Sequence, residues 1–396
     1  MIEHERSYVF THEGAHGFLE SNGLGLKDLS DTACESIEDY YLGKGMRVRK
    51  SKKVEDDVYS FVFTRKTGEK AKGYRFEFEE KISEDLATQL MAESTMQVKK
   101  TRIKLSVPNN IAYAVTMDFI DEPMKLAVLE IEALNEVVFP IPADITTKLF
   151  GIQLKECPLC SYKLFNRRIG IAGGPSSGKS ETAKSLSHTL NTQMNANSYH
   201  VAEFATTFIQ KYKKNPNFWE EFFVWHGQHE RERSSGTANI VISDCPTFLA
   251  YVYLLHLPKD KFSKDTAIVL AKMYKRVLFD IDWYSDLILL EMKEYKENSI
   301  RYQSGLEEAV EIQSRIRAFL DDHRINYSVY DYTKKDEILR DLFYINVFTK
   351  FYSPVTTESM DRAKCAICGT REGVLQVDNS TMRVECYPSC AGTRGS

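Results

Sequence analysis

The string Gly173-Gly174-Pro175-Ser176-Ser177-Gly178-Lys179-Ser180 constrains this chain more than any other feature. It follows the apolar run Ile169-Gly170-Ile171-Ala172 and precedes a helical stretch, Glu181 to Leu190. Strand, glycine-rich turn and helix in that order let backbone N–H groups turn inward around phosphate oxygens, with the positive end of the helix aimed at them. In such a loop Lys179 reaches the β- and γ-phosphates and the Ser180 hydroxyl ligates Mg²⁺ or Mn²⁺. The loop, with Glu181, is therefore the expected site for ATP or GTP. Asp244 is the second element. It ends the apolar run Ile240-Val241-Ile242-Ser243, where a carboxylate at the strand's carboxyl edge contacts the metal.

Around this loop, from 168 to 352, short apolar runs alternate with helical stretches. They include His200-Val201-Ala202, Leu287 to Leu290 and Tyr327-Ser328-Val329-Tyr330. That alternation predicts a parallel sheet covered by helices. The aromatic stretch Phe218, Trp219, Phe222, Phe223 and Trp225 has the spacing of a buried helix face, with base stacking as the other reading.

With 396 residues the chain exceeds one ordinary core, and two or three domains are expected. The formal net charge of −4 gives no overall attraction to nucleic acid or anionic membranes, so any phosphate-binding surface is local. The start is charged, without the apolar centre of a signal peptide, and the most apolar stretch, Thr247 to Leu257, is too short to span a bilayer. The reading is a soluble, cytoplasmic protein.

Residues 1–155 read as mostly β, with alternating segments at Tyr59 to Lys66, Tyr74 to Glu80, Lys99 to Leu105, Tyr113 to Phe119 and Leu126 to Ala133. Helices are predicted near Ser30 to Tyr40 and Ser83 to Ala92, each opened by a serine that can cap it. Within the strands, charges share faces: Glu3 with Glu5, Arg47 with Arg49, Arg75 with Glu77 and Glu79, Lys100 with Arg102 and Lys104, and Glu130 with Glu132. A barrel closed with these rows inward is lined by acids that suit a divalent metal and bases that suit phosphate oxygens.

Two resemblances follow. The segments Ile2-Glu3-His4-Glu5-Arg6, Tyr41 to Arg49, Thr64-Arg65-Lys66, Arg75 to Glu79, Lys100-Thr101-Arg102, Asp118 and Leu129 to Glu132 resemble, in order, the triphosphate tunnel metalloenzymes of the CYTH superfamily. The resemblance implies Mg²⁺ or Mn²⁺ held by Glu3, Glu5, Glu77, Glu79, Glu130 and Glu132, and phosphates gripped by Arg47, Arg49, Lys66, Arg75, Lys100 and Arg102. It also implies binding or hydrolysis of linear triphosphates. Ser7 stands where that family has a lysine, and Arg6 should point to the opposite face. Residues Ile169 to Ser180, Glu203 at the end of its strand, Gly227-Gln228-His229-Glu230, Asp244 and Trp283-Tyr284-Ser285-Asp286 resemble nicotinamide riboside kinases and related small P-loop ATPases. This resemblance implies catalytic roles for Lys179, Asp244, Glu203 and a lid arginine, Arg301, with Arg315 and Arg317 as other lid positions. Ala205-Thr206-Thr207 stands where those relatives usually carry an arginine.

Cys365 and Cys368, then Cys386 and Cys390, have close to zinc-ribbon spacing and predict a structural Zn²⁺. Cys157-Pro158-Leu159-Cys160 is read as an incomplete metal site, a redox pair or neither. The expected fold class is multidomain α+β and α/β. An antiparallel β-barrel tunnel (1–155) is followed by a linker with the CxxC pair (156–167), a P-loop parallel α/β domain (168–352) and a zinc-stapled tail (353–396). The function expected is an NTP-dependent phosphotransferase acting on a nucleoside, nucleotide or nucleic-acid end, joined to a triphosphate-binding or triphosphatase tunnel. The rival expectation is a non-catalytic nucleotide-binding regulator that senses polyphosphate or anionic lipid headgroups.

Overall fold

The computed structural model describes residues 2–24, 34–43, 45–53, 55–67, 75–107, 112–134, 141–236, 238–256, 264–295, 305–348, 374–378 and 383–387, with residues 2–3, 75, 264–265 and the last two stretches described by backbone alone. Residues 1–348 form one compact unit and 349–396 a second.

The N-terminal half contributes β1 (Ile2–Glu3), β2 (Glu5–Phe10), α1 (His12–Ser21), β3 (Cys34–Gly43), β4 (Met46–Lys53), β5 (Ser60–Thr67), β6 (Arg75–Lys81), α2 (Glu84–Ala92), β7 (Met96–Lys104), β8 (Tyr113–Glu122) and β9 (Leu126–Ala133). Two short helices, α3 (Ile145–Phe150) and α4 (Ser161–Phe165), lead into the second half. There the chain forms β10 (Arg167–Ala172), α5 (Lys179–Gln193), β11 (Ser198–Val201), α6 (Phe204–Tyr212), α7 (Phe218–Ser234), β12 (Ile240–Ser243), α8 (Phe248–His256), α9 (Lys264–Ile281), β13 (Asp286–Glu291), α10 (Leu306–Asp322), β14 (Ser328–Asp331), α11 (Lys335–Leu342) and β15 (Ile345–Asn346). In the second unit β16 (Val374–Asp378) pairs antiparallel with β17 (Arg383–Tyr387).

The first sheet has ten strands in the order β1-β6-β5-β4-β3-β7-β8-β9-β2-β15. Its first strand and its ninth belong to one stretch of chain: Glu3 of β1 faces Arg75 of β6, while Glu5 of β2, beyond His4, faces Glu132 of β9. The sheet is antiparallel except where β15 joins β2 in parallel. The second sheet is parallel throughout, in the order β11-β12-β10-β13-β14.

The helix expected over Ser30 to Tyr40 is corrected: from Cys34 onward that segment is β3. Ile37, Asp39 and Tyr41 are buried at every second position, the period of a strand with one face turned inward. The Ser83 cap is borne out, since its side chain accepts from the Leu86 N–H at the start of α2. Helix α1, unread in the sequence, is capped by Thr11 and lays Phe18 and Leu19 on the outer face of the sheet, against Tyr8, Phe10, Met117 and Leu129.

Along the inner face each row changes character. Val9, Tyr41, Met96, Val98, Ile120, Leu126 and Val128 join Leu164 and Phe165 of α4, Ile169 and Ile171 of β10 and Ala183, Leu186 and Leu190 of α5 in one apolar cluster. The stretch read as a linker is therefore packed: Cys157 and Phe165 are buried, and the Cys157 N–H donates to the Ser7 carbonyl. Asn346 completes the junction, exchanging hydrogen bonds with the Lys155 backbone and donating to the Val9 carbonyl. A buried core shared in this way makes the two sheets one body.

Candidate functional site

Beyond the apolar rows, the inner face of the first sheet surrounds a cavity of about 260 Å³. Glu5, Arg47, Arg49, Lys66, Glu77, Glu79, Arg102, Glu130 and Glu132 line it, so the charge rows read from the sequence are brought together. Ser7 lines it as well and donates to Glu5 Oε1 at 2.8 Å. Arg6 turns away, as its strand position requires, to the Ile141 carbonyl and Glu156.

The cations of this cavity are already matched. Arg49 donates twice to Asp39, at 2.8 and 3.0 Å, and Arg47 reaches the same carboxylate at 3.4 Å. Arg102 donates to Asp118 and Glu130, Lys100 is buried against Asp118, and Lys66 lies 3.0 Å from Glu77. Burial alone would push Asp39 up, but Arg47, Arg49 and Lys100 outweigh it and hold the carboxyl well below the usual range. Asp118 is held at about 2 in the same way, by Lys100 and Arg102 against burial. Asp39 was not singled out in the sequence; its signal was the inward parity it shares with Ile37 and Tyr41. Glu132 behaves oppositely: surrounding protein, then Glu5, push it up, although its side chain reaches solvent. Among the described residues no three His, Cys, Asp or Glu side chains are arranged to hold a metal ion. Glu3 and Arg75 are placed on neighbouring strands by backbone alone. Cys157, Leu159, Cys160 and Tyr162 wall the cavity too, which gives the CxxC segment a location the sequence could not supply.

At the phosphate loop, Gly173 has φ +154° and Gly178 φ +84°. A Cβ on Gly173 would meet the Leu290 carbonyl oxygen at 2.7 Å, so the tight approach to β13 admits only glycine. Ser176 also adopts a left-handed φ of 62°, an uncommon conformation for a side-chain-bearing residue that points to function. The buried Lys179 ammonium donates to the carbonyl oxygens of Gly173 and Gly174, both at 2.8 Å. Gln313 of α10 accepts from the Gly174 N–H and donates to the Leu290 carbonyl, tying the loop to β13. Ser180 and Glu181 begin α5, and Glu181 pairs with Lys335 at 2.7 Å on the surface.

Asp244 follows β12, which lies beside β10 in the sheet. It is buried; Oδ2 lies 3.2 Å from His200 Nε2 and Oδ1 has no hydrogen-bond partner. The Thr182 hydroxyl, in the first turn of α5, is likewise buried and unbonded. Buried polar atoms are ordinarily satisfied, and such exceptions near a phosphate loop suit a bound group.

Glu203 is the N-cap residue of α6, buried, and accepts from Thr206 Oγ1 at 2.6 Å. With Glu221, Val224, Cys245, Tyr253 and Ile312 it lines a second cavity, of about 110 Å³. Burial, then Glu203 and Glu220, push Glu221 up to about 8. Arg231 of α7, not singled out in the sequence, lies beside Glu203. Its guanidinium lies over the Phe204 ring, 4.7 Å from the centroid, and donates to the carbonyls of Ala202 and Glu203 and to Thr207. Arg301 lies outside the described residues. Arg315 and Arg317 are held on the surface of α10 and its neighbour by Glu311 and Glu291. The single buried aromatic face is corrected: Phe218 and Trp225 are buried, whereas Trp219, Phe222 and Phe223 are exposed. Cys365, Cys368 and Cys390 lie outside the described residues, and Cys386 is placed only as a backbone position in β17. No described helix is long and apolar enough to cross a membrane.

A family model described as an AAA domain matches residues 168–335. Among solved structures, a conserved hypothetical protein from Pyrococcus furiosus is 17% identical over 40% of this chain and 97% of its own, with a TM-score of 0.31. A deoxyadenosine kinase from M. mycoides is 14% identical over 45% of this chain and 100% of its own, with a TM-score of 0.34. A protein from Hippeastrum, described as revealing a dominant triphosphatase activity, is 11% identical over 34% of this chain and 80% of its own, with a TM-score of 0.22. A comparison with curated proteins yields no match.

Proposed function

We propose that the second half of this chain is a phosphotransferase that moves the terminal phosphate of ATP or GTP to a small hydroxyl-bearing acceptor. The observation that carries the reading is the state of the loop: Lys179 is already fixed over the Gly173 and Gly174 carbonyls, and the neighbouring strand ends in a buried Asp244 with one unbonded oxygen. That donor set fits a magnesium ion: the Ser180 hydroxyl and Asp244 would hold it, and when bound it neutralises charge on the phosphates. Lys179 and the loop N–H groups bind and orient the β- and γ-phosphates. Glu203 is positioned to accept the proton of the acceptor hydroxyl, and the small acid-lined cavity beside it excludes water around that group. The carboxylates of Glu203 and Glu308, beside a Glu221 that burial keeps protonated, around about 110 Å³ favour a small acceptor over a nucleic-acid end, whose phosphates the two carboxylates would repel. The test is transfer of labelled terminal phosphate from ATP and GTP to a panel of nucleosides and to oligonucleotide 5′ ends. Label on neither class would sink the phosphotransferase reading.

For the first sheet, the proposal is a tunnel that binds a polyphosphate. What supports a tunnel is that β1 and β2, consecutive in the chain on either side of His4, pair with β6 and with β9 respectively. The described carboxylates do not converge as a metal site. The pairing of the lumen's cations with Asp39, Asp118, Glu130 and Glu77 favours the second reading for this half, a module that binds or senses a polyanion. Incubation with inorganic triphosphate, following phosphate release and binding separately, distinguishes the two.

A further inference from the structure

Helix α7 carries Gln228 and Glu232 one turn apart, and both are buried, at 2% and 4% exposure. Neither lines the nucleotide loop or the acceptor cavity. Gln228 Oε1 accepts the backbone N–H of Phe204 at 2.8 Å, immediately after Glu203. Its Nε2 donates to Ser243 Oγ at 3.2 Å, immediately before Asp244, and to Glu232 Oε1 at 3.4 Å. Glu232 is gripped at both oxygens: Ser243 Oγ donates to Oε1 and the Tyr284 hydroxyl to Oε2, each at 2.6 Å. The Tyr284 oxygen in turn accepts the Thr247 N–H at 3.0 Å. One continuous chain of hydrogen bonds thus runs from the residue after Glu203, past the residue before Asp244, to the turn that carries Thr247.

The location is costly. A buried carboxyl with three polar neighbours is stabilising only when every partner is in place, and such a network then fixes one arrangement of the backbone around it. Here the backbone it fixes is the carboxyl edge of two adjacent parallel strands, where Val201 of β11 pairs with Ser243 of β12 and the Asp244 N–H donates to the Val201 carbonyl. A sideways shift of either strand end would move Glu203 relative to Asp244, and with them the acceptor hydroxyl relative to the metal–phosphate.

We propose that Gln228 and Glu232 are positioning residues that lock the ends of β11 and β12, so that Asp244 meets the metal of the bound nucleotide and Glu203 the acceptor. The inference rests on the phosphotransferase reading above. Neither side chain touches nucleotide, metal or acceptor; both act through Ser243, Tyr284 and the Phe204 N–H.

The measurement is the affinity of the full chain for a fluorescent ATP analogue, with magnesium and with chelator. Its readout is the ratio of the two. In wild type magnesium strengthens binding. In Glu232→Ala the ratio should fall by about tenfold or more, as when a group supporting a metal ligand is removed. Affinity in chelator should hold, because Lys179 and the loop amides lie outside the network. Glu232→Gln, which keeps the shape and one acceptor oxygen, should recover part of the ratio, and Gln228→Ala should lower it less than Glu232→Ala. Tyr284→Phe removes the hydroxyl that donates to Glu232 and accepts the Thr247 N–H while keeping the ring, and it serves if the alanine variant does not fold; it too should lower the ratio. Variants that keep the full wild-type ratio overturn this inference alone. A wild type indifferent to magnesium overturns the phosphotransferase reading and this inference with it. Parallel loss of affinity with and without magnesium also overturns it, because a merely structural role would weaken both.

Discussion

In the charged cavity the positive groups are side chains already neutralised by carboxylates, whereas in the phosphate loop they are backbone N–H groups and one lysine resting on carbonyl oxygens. Asp39 and Asp118 hold Arg47, Arg49, Lys100 and Arg102 in buried ion pairs. A polyanion entering there must share or displace carboxylates. Asp118 and Asp39 also bind those cations to the fold itself, because a buried charge without its partner is expensive. At the loop Lys179 is oriented in advance by the carbonyl oxygens of Gly173 and Gly174. On the readings proposed above, a phosphate entering the first site exchanges ion pairs, while the second offers a preformed cradle. Preorganised donors do not have to be rearranged as charge develops, which is why the loop, and not the cavity, is assigned the chemistry.

The largest effect should come from Lys179→Ala. Removing the ammonium should reduce phosphate transfer by about a hundredfold or more while the melting temperature stays near wild type. Turnover that survives this change would move the activity to the cavity and reverse the comparison.

Next in size is Asp118→Ala. It leaves Lys100 and Arg102 buried without their shared partner and should cost about 3–5 kcal/mol in a denaturant titration. The sign with pH follows from the carboxyl's depressed value of about 2. Its contribution is present above the ordinary carboxylate range and is lost as pH falls toward 2, so wild type and variant should converge in acid. If the cavity binds polyanions, added inorganic triphosphate should raise the melting temperature of the variant more than that of wild type. Equal shifts would mean that the ligand does not meet these cations.

An effect that grows with pH, and is smaller than these near neutrality, separates the cavity beside Glu203 from both. Glu221 is raised to about 8, so its contribution is complete below the ordinary glutamate range and is lost as pH rises through 8. Glu221→Gln cannot ionise, and it should hold its stability between pH 5 and 8, where wild type declines, at up to about 1.4 kcal/mol for each pH unit. Parallel melting curves across that window would show that Glu221 is ionised in the fold.

The weakest perturbation is Arg231→Lys, which keeps the charge but loses the guanidinium over the Phe204 ring and most of the fork that holds the Ala202 and Glu203 carbonyls and Thr207. A severalfold rise in the KM for the acceptor, with nucleotide affinity unchanged, is the expected outcome. A change in nucleotide affinity instead would place Arg231 on the loop's side of the comparison.

Much of this arrangement was legible because its signals are local. The loop string needs only its own strand and helix, and the rows at Arg47 and Arg49 or Glu130 and Glu132 need only the two-residue period of a strand to share a face. Where the local signal was divided, the reading failed. Ser30 to Tyr40 offered a cap and polar residues compatible with a helix, and the burial of Ile37, Asp39 and Tyr41 against β4 and β7 decided for a strand. Trp219 and Phe223 have helix-face spacing with Phe218, yet Trp219 remains exposed and Phe223 is only partly covered, by Phe204 and Phe208 of α6.

The sequence by itself determined the phosphate loop, the alternation that yields a parallel sheet and the two-faced strands of the N-terminal half, since each depends on residues within one or two turns of one another. Tertiary structure decided which distant residues complete them. It brought Asp39 under the arginines of β4, Arg231 to the carbonyls beside Glu203, Gln228 and Glu232 to the ends of two strands, and Cys157 to Tyr162 against the cavity wall. It also returned β15 to β2 and merged the inner apolar rows with α4 and α5. Those pairings join residues far apart in the chain. They are fixed by which apolar faces can be buried together and which buried polar groups then find partners, and no local pattern carries that information.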